Sequence, residues 1–248
     1  MNKSHSEENL GQTLWHFLPG ILKFLSVLGI GLAIFNLVGI SLRNGPADNL
    51  AETTKTSTIF VRNFDPVIGK ADSNLKLIYF IDYECPVCAS NADNMKQLKT
   101  EYKDRIQFVY KNYPIPNAHV YAEPAARAIL AANMQGKGFE LGDLMLARQT
   151  DGFSPAKFAE WAKELGLNID KFNEDRGSSA VKRQVQIDQA DYDTADLPKS
   201  TISGQPKAKG ETGGTPTTIL VKDNKVIDWW SGKADIQQVK GKLDEYLK

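Results

Sequence analysis

Hydrophobic positions along this chain fall into blocks of different period, and the longest block comes first. From Phe24 to Leu42, FLSVLGIGLAIFNLVGISL, no charge interrupts the run, which at about 1.5 Å per helical residue reaches roughly the 30 Å of a bilayer core. The run predicts a single membrane-spanning helix. A cleaved signal peptide and a buried core helix are the alternatives. No A-x-A pattern closes the run and no cysteine is there to take a lipid, so it reads as an uncleaved signal-anchor. Residues 1–23 then form a cytoplasmic tail. Residues 43–57, RNGPADNLAETTKTS, are polar and rich in small side chains, as a flexible tether is, and the folded part is residues 58–248. The basic residues near the span, Lys3 and Lys23 before it and Arg43 and Lys55 after it, do not by themselves fix its orientation.

Beyond the tether the pattern alternates between strand and helix. Leu75 to Ile81, LKLIYFI, is nearly continuous in apolar residues, as expected for a strand covered on both faces, and Arg105 to Tyr110, RIQFVY, is a second. Between them Cys88, Ala92, Met95, Leu98 and Tyr102 recur at helical spacing and predict one helix with a common buried face. Together these make a βαβ unit. Toward the C-terminus TTILV and VIDWW flank KDNK, whose Asp-Asn pair suits a tight hairpin, with Trp229 and Trp230 packing at the sheet end. Ile236, Val239, Leu243 and Tyr246 predict a last amphipathic helix.

From about 118 to 195 the texture is helical throughout. AHVYAEPAARAILAANMQ, FELGDLMLARQ, SPAKFAEWAKELG and SAVKRQVQIDQADY each read as helix, with Ser154 as an N-cap, Pro155 in the first turn and Gly166 as a stop. This block separates the βαβ half from the hairpin half, so it predicts a helical insertion in an α/β sheet. Residues 196–214, DLPKSTISGQPKAKGETGG, predict a long exposed loop.

Composition adds little. With 42% hydrophobic and 24% charged residues the chain of 248 can bury a core, and 30 basic residues balance 30 acidic ones without a block of either sign. Nothing points to nucleic acid as a partner.

The chemistry is carried by the only two cysteines, Cys85 and Cys88, in DYECPVCAS. They follow a strand and open a helix, where free backbone N–H groups favour a negative charge and lower a thiol pKa from about 8.5 into the range of about 3.5 to 7.5. Cys85 is placed to be the exposed thiolate and Cys88, one turn on, to close the ring. Pro86 suits a first turn, where its missing N–H costs nothing. A zinc site would need further ligands. There is no third cysteine, and His5, His16 and His119 lie in the tail, beside the anchor and at the start of the insertion. A disulfide across four residues would close too small a loop to serve stability. His119 reads as a surface or loop-packing histidine, and Asp82 and Glu84 as solvated acids. No metal and no cofactor are expected.

Taken in order, DPVIGKADSNLKLIYFIDYECPVC, RIQFVYKNYPIP, AEPAARAILAANMQGKGF, FAEWAKELGLNIDKF and GTPTTILV resemble the DsbA-like thiol-disulfide oxidoreductases of the thioredoxin superfamily, over roughly residues 60–247. The resemblance implies a thioredoxin fold with an inserted helical domain, preceded here by one transmembrane helix. It implies Cys85 as nucleophile, Cys88 as resolving cysteine, and Pro86 and Val87 as the dipeptide that tunes them. Pro216 matches a cis-proline facing the pair, and Thr215 the residue whose backbone pairs with extended substrate chains. Val87 stands where the most oxidising members carry histidine, and Tyr79 where many carry a buried acid.

The function so implied is the introduction of disulfides into exported proteins through Cys85 and Cys88, by an enzyme held in the cell membrane with its catalytic domain outside the cytoplasm. Its partners would be exported chains with free thiols or disulfides and a membrane quinone-linked enzyme that reoxidises it. The alternatives are a reductase or isomerase of extracytoplasmic disulfides, and a tethered binding module without redox turnover.

Overall fold

A computed structural model of the chain describes residues 58–198, 200–202 and 214–248. The expected anchor at 24–42, the tether at 43–57 and most of the loop at 196–214 lie outside the described residues. Among the described residues no helix is long and apolar enough to cross a membrane.

Among the described residues five strands form one sheet: β1 (Val67–Gly69), β2 (Leu75–Ile81), β3 (Gln107–Asn112), β4 (Thr217–Lys222) and β5 (Lys225–Ser231), in the order β1-β3-β2-β4-β5. Only β2 and β3 run parallel, with Ile78 opposite Val109. β4 returns antiparallel on the other side of β2, with Phe80 opposite Thr217. The continuous apolar run of β2 follows from this central place. Leu75, Leu77, Tyr79 and Ile81 pack on one face with Met95, Leu98 and Leu243, while Ile78 and Phe80 pack on the other with Val109, Ile219 and Trp229. Each such burial is worth about 1.5–3 kcal/mol. The hairpin turn is as read: Asp223 and Asn224 take φ of 51° and 63°, the left-handed pair a two-residue turn requires. Trp229 and Trp230 are both buried near the end of β5.

Three readings of local structure change. The helix expected from Cys88 to Tyr102 is two helices, α1 (Pro86–Ser90) and α2 (Ala92–Tyr102). Asn91 separates them: at φ −91° and ψ −5° it sits at the edge of the right-handed helical region, and its buried side chain donates to Tyr79 Oη at 3.1 Å. The strand expected at 105–110 runs instead from 107 to 112 and includes Lys111, which is fully buried. β1, an edge strand antiparallel to β3, was not read at all.

The insertion holds five long helices: α3 (Ala122–Asn133), α4 (Gly138–Ala147), α5 (Pro155–Glu164), α6 (Ile169–Gly177) and α7 (Ser179–Asp193). Ser154 caps α5 by accepting from Lys157 N–H at 3.1 Å, and Gly166 ends the segment at φ +77°, a conformation that costs glycine little. The helix α6 is the unexpected one. Asn168 caps it, accepting from Lys171 N–H at 2.9 Å, the signal by which it could have been found. Alanines let α3 lie close to its neighbours on two sides: Ala125, Ala128 and Ala132 face the main core, and Ala126 and Leu130 face Val181 and Val185 of α7. A final helix, α8 (Ile236–Tyr246), covers the sheet beside α2.

Candidate active site

The site lies where β2 ends and β4 begins, neighbouring ends of antiparallel partners. β2 stops at Ile81, and the chain turns so that Cys85 N–H donates to Asp82 O at 3.1 Å. Cys85 is then the N-cap of α1 with extended backbone, φ −72° and ψ 121°, and Pro86 fills the first helical position. One turn later Cys88 is wholly buried, while Cys85 keeps 7% of its surface. The sequence led us to expect an exposed Cys85. It is covered except for this narrow access, and both cysteines are free thiols.

From the other side comes the loop before β4. The Thr215–Pro216 bond is cis, and Cys85 Sγ donates to Thr215 O at 3.4 Å. The loop is pinned by Thr217 Oγ1 donating to Gly214 O at 2.9 Å and by Gly232 N–H donating to Pro216 O at 2.8 Å. All six residues singled out in the sequence, Cys85, Pro86, Val87, Cys88, Thr215 and Pro216, therefore belong to the two segments that meet here. Val87 is 45% exposed, an apolar side chain at the mouth of the site.

The two thiols differ sharply in acidity. The Cys85 thiol is lowered to about 5. Hydrogen bonding from the Cys88 thiol does most; burial opposes it; the Thr215 hydroxyl and the N–H groups of Cys88 and Val87 lower it further. Thr215 Oγ1 is buried without a hydrogen-bond partner among the described residues. Burial pushes Cys88 well above the ordinary thiol value, and the hydrogen bond and charge of Cys85 push it further. One accessible thiolate beside one buried thiol is the arrangement for nucleophilic exchange followed by ring closure.

Other residues complete the site without a local signal in the sequence. Gln149, from the turn after α4, donates to Tyr83 O at 2.9 Å and to Cys85 O at 3.0 Å, fixing the approach to the helix from the insertion. Asp82, expected to be solvated, is 1% exposed and accepts from Ile115 N–H at 2.9 Å, with His119 Nδ1 at 2.7 Å. Glu84 accepts from Tyr121 N–H at 2.6 Å. His119 does pack in a loop, but that loop lies against the dithiol turn. Tyr79 holds the place of a buried acid and donates no charge. Its hydroxyl accepts from Asn91 instead.

An N-capping thiol of lowered pKa, a buried second thiol and a facing cis-proline loop, carried on this sheet with a helical insertion, define a dithiol site on a thioredoxin-like fold. The chain belongs to the family described as thioredoxin, whose model matches residues 62–235. Among solved structures it is similar to the thiol-disulfide exchange protein α-DsbA2 of Wolbachia pipientis, with TM-score 0.59 and 22% identity over 73% of this chain and 87% of that one. It is also similar to oxidised BdbD of Bacillus subtilis, with TM-score 0.59 and 19% identity over 78% and 98%. These likenesses are of fold. A curated relative, Na(+)/H(+) antiporter NhaA 3 of Salinispora tropica, is 33% identical over 146 residues, 57% of this chain and 21% of its own length. The chain thus spans about a fifth of the length of the curated relatives it matches.

Proposed function

We propose that the chain is a membrane-tethered oxidase that passes a Cys85–Cys88 disulfide to exported proteins. The observation that carries this reading is the asymmetry of the thiols, with Cys85 lowered to about 5 beside a buried Cys88 held well above its ordinary value. A stabilised thiolate in the reduced form makes the disulfide a better oxidant and Cys85 a better leaving group.

The electrons move in two steps. A substrate thiolate attacks Cys85 Sγ, the Cys85–Cys88 bond breaks, and Cys88 leaves and takes up a proton in its buried site. The substrate's second thiolate then attacks the substrate sulfur of the mixed disulfide, and Cys85 departs as a thiolate. Two substrate thiols lose two electrons and two protons. The protein pair gains both electrons and, at neutral pH, one proton; the other goes to solvent. Cys85 is the sulfur attacked and then the leaving group, and the nucleophile in the reverse direction; Cys88 is the resolving thiol, Pro86 and Val87 the tuning dipeptide, and Thr215 with Pro216 the groove for an extended substrate chain.

Placement follows the apolar run at 24–42: one span, a tether at 43–57 and a catalytic domain, 58–248, outside the cytoplasm, where a disulfide persists. A match within ion antiporters, which work in membranes, supports a membrane setting. Reoxidation would fall to a membrane quinone-linked partner.

Val87, with no charge to offer the thiolate, favours a second reading as reductase or isomerase. Equilibration with a glutathione buffer decides between them. A potential near the about −120 mV of strong donors supports the oxidase, and one near the about −270 mV of thioredoxin supports the reductase. No exchange, with Cys85→Ala indistinguishable from the wild type, would leave only a binding module.

A further inference from the structure

The loop between β3 and α3 is stitched to the turn before Cys85 by side chains the exchange chemistry does not use. Asp82 Oδ2 accepts from Ile115 N–H and meets His119 Nδ1, while Oδ1 accepts from Glu84 N–H at 2.9 Å. Glu84 in turn holds the N–H of Tyr121. Asp82 is also tied to the dithiol turn through its backbone, its carbonyl accepting from Cys85 N–H. His119 is therefore fixed beside the dithiol through one ring nitrogen. Its side chain is one-fifth exposed, at 20%, and Nε2 has no protein partner among the described residues.

We propose that His119, oriented by Asp82, is the cationic partner of the Cys85 thiolate and so sets how oxidising the Cys85–Cys88 disulfide is. This rests on the dithiol reading above. Val87 leaves the position between the cysteines without a cation, and the loop between β3 and α3 brings a histidine to Asp82, three residues before Cys85. Asp82 touches the imidazole, and the charges of Cys85 and Glu84 act on it from further off. Burial disfavours the imidazolium, but the Asp82 hydrogen bond and charge, then the charges of Cys85 and Glu84, outweigh it and raise His119 above its ordinary value. A buried carboxylate so close to a thiolate would repel it. Paired with an imidazolium it is neutralised. The coupling is reciprocal: whatever His119 does for the Cys85 thiolate, the thiolate does for the His119 proton.

The test uses the full chain. His119→Gln should raise the pH midpoint of the Cys85 thiolate absorbance and make the disulfide about tenfold less oxidising against glutathione, about 30 mV for a two-electron couple. Asp82→Asn added to His119→Gln should recover part of this loss, because it removes the unpaired carboxylate. Loss of structure alone would deepen with the second change. In the wild type, NMR titration should give His119 a higher midpoint in the dithiol form than in the disulfide form, a measurement that needs no variant. Equal midpoints in the two forms, an unaltered potential in His119→Gln, or no recovery in the double variant would each overturn the proposal. Failure of the wild type to exchange with glutathione would instead remove the dithiol reading, and this inference with it.

Discussion

Cys85 and Cys88 are one chemical group in two surroundings, and pH separates them. Cys85 is lowered in the folded dithiol form to about 5, against about 8.5 in an unfolded chain. A depressed acid stabilises the folded state fully above its unfolded value, and that contribution is lost as pH falls through the folded one. The stability of the dithiol form, measured against the disulfide form by urea midpoint, should therefore rise between about pH 5 and pH 8. A difference that is flat across this window would refute the low value. Reactivity divides the two as well. With Cys88→Ser, the Cys85 thiolate still attacks a substrate disulfide and expels one substrate thiolate, but no second thiol resolves the mixed disulfide, so disulfide-linked complexes with exported proteins should accumulate on non-reducing gels. Cys85→Ser should show few, because the remaining thiol is wholly buried. Equal trapping by both would exchange their roles. These two residues were legible in the sequence because their chemistry is local: two thiols, one turn apart, at a strand-to-helix junction. Asp82, His119 and Gln149 were not. Their partners lie 33 to 66 residues away, and no local pattern tells a clasping acid from a solvated one.

The same limit governs the elements. β3 was misplaced by two residues because Lys111 and Asn112 look like the polar end of a strand, yet both are buried in it. Lys111 Nζ lies 2.9 Å from Asp65, 3.0 Å from Asp191 and 3.4 Å from Asp188. Asp188, from α7, also accepts from the N–H and the amide of Asn112 and from Gln184, and Arg62 pairs with Asp191 at 2.8 Å. The segment before β1, the strand β3 and the helix α7 are thus joined by one buried ionic cluster. β1, three residues long, depends on this neighbourhood rather than on any period of its own. Removing the central cation strands carboxylates in a dry interior, so Lys111→Met should cost about 3–5 kcal/mol by urea unfolding. Burial raises Asp65 to about 6 in spite of Lys111, with the charge of Asp188 adding to it. An acid raised in the folded state is a liability above its folded value that protonation relieves. Without Lys111 this acid rises further, so the penalty of Lys111→Met should shrink as pH falls from neutral toward about 6, where Asp65 takes up its proton in both proteins. A penalty that holds constant down to pH 5 would show that the cluster is not ionised as drawn.

At the scale of the whole molecule, chain order and spatial order diverge, and the site is the product of that divergence. β2 is flanked by β3, reached through α1 and α2, and by β4, reached only after the entire insertion. The ends of β2 and β3, the start of β4 and the turn after α4 then converge on Cys85. Alternation of strand and helix made this architecture legible. The order of strands in the sheet was not, since period alone does not say which strands pair. The membrane setting is the remaining large-scale property, and it rests on Phe24 to Leu42, outside the described residues. If that run is an anchor with the dithiol domain beyond the cytoplasm, the tether is exposed to the outside. A cysteine at Ser57, placed in a Cys85→Ser, Cys88→Ser chain so that it is the only thiol, should then be labelled by an impermeant reagent on intact cells, and the protein should stay with the membrane in alkaline carbonate. Labelling only after lysis would put the domain in the cytosol, where reducing systems keep such a pair as dithiol, and would turn the assignment from disulfide donor to reductase.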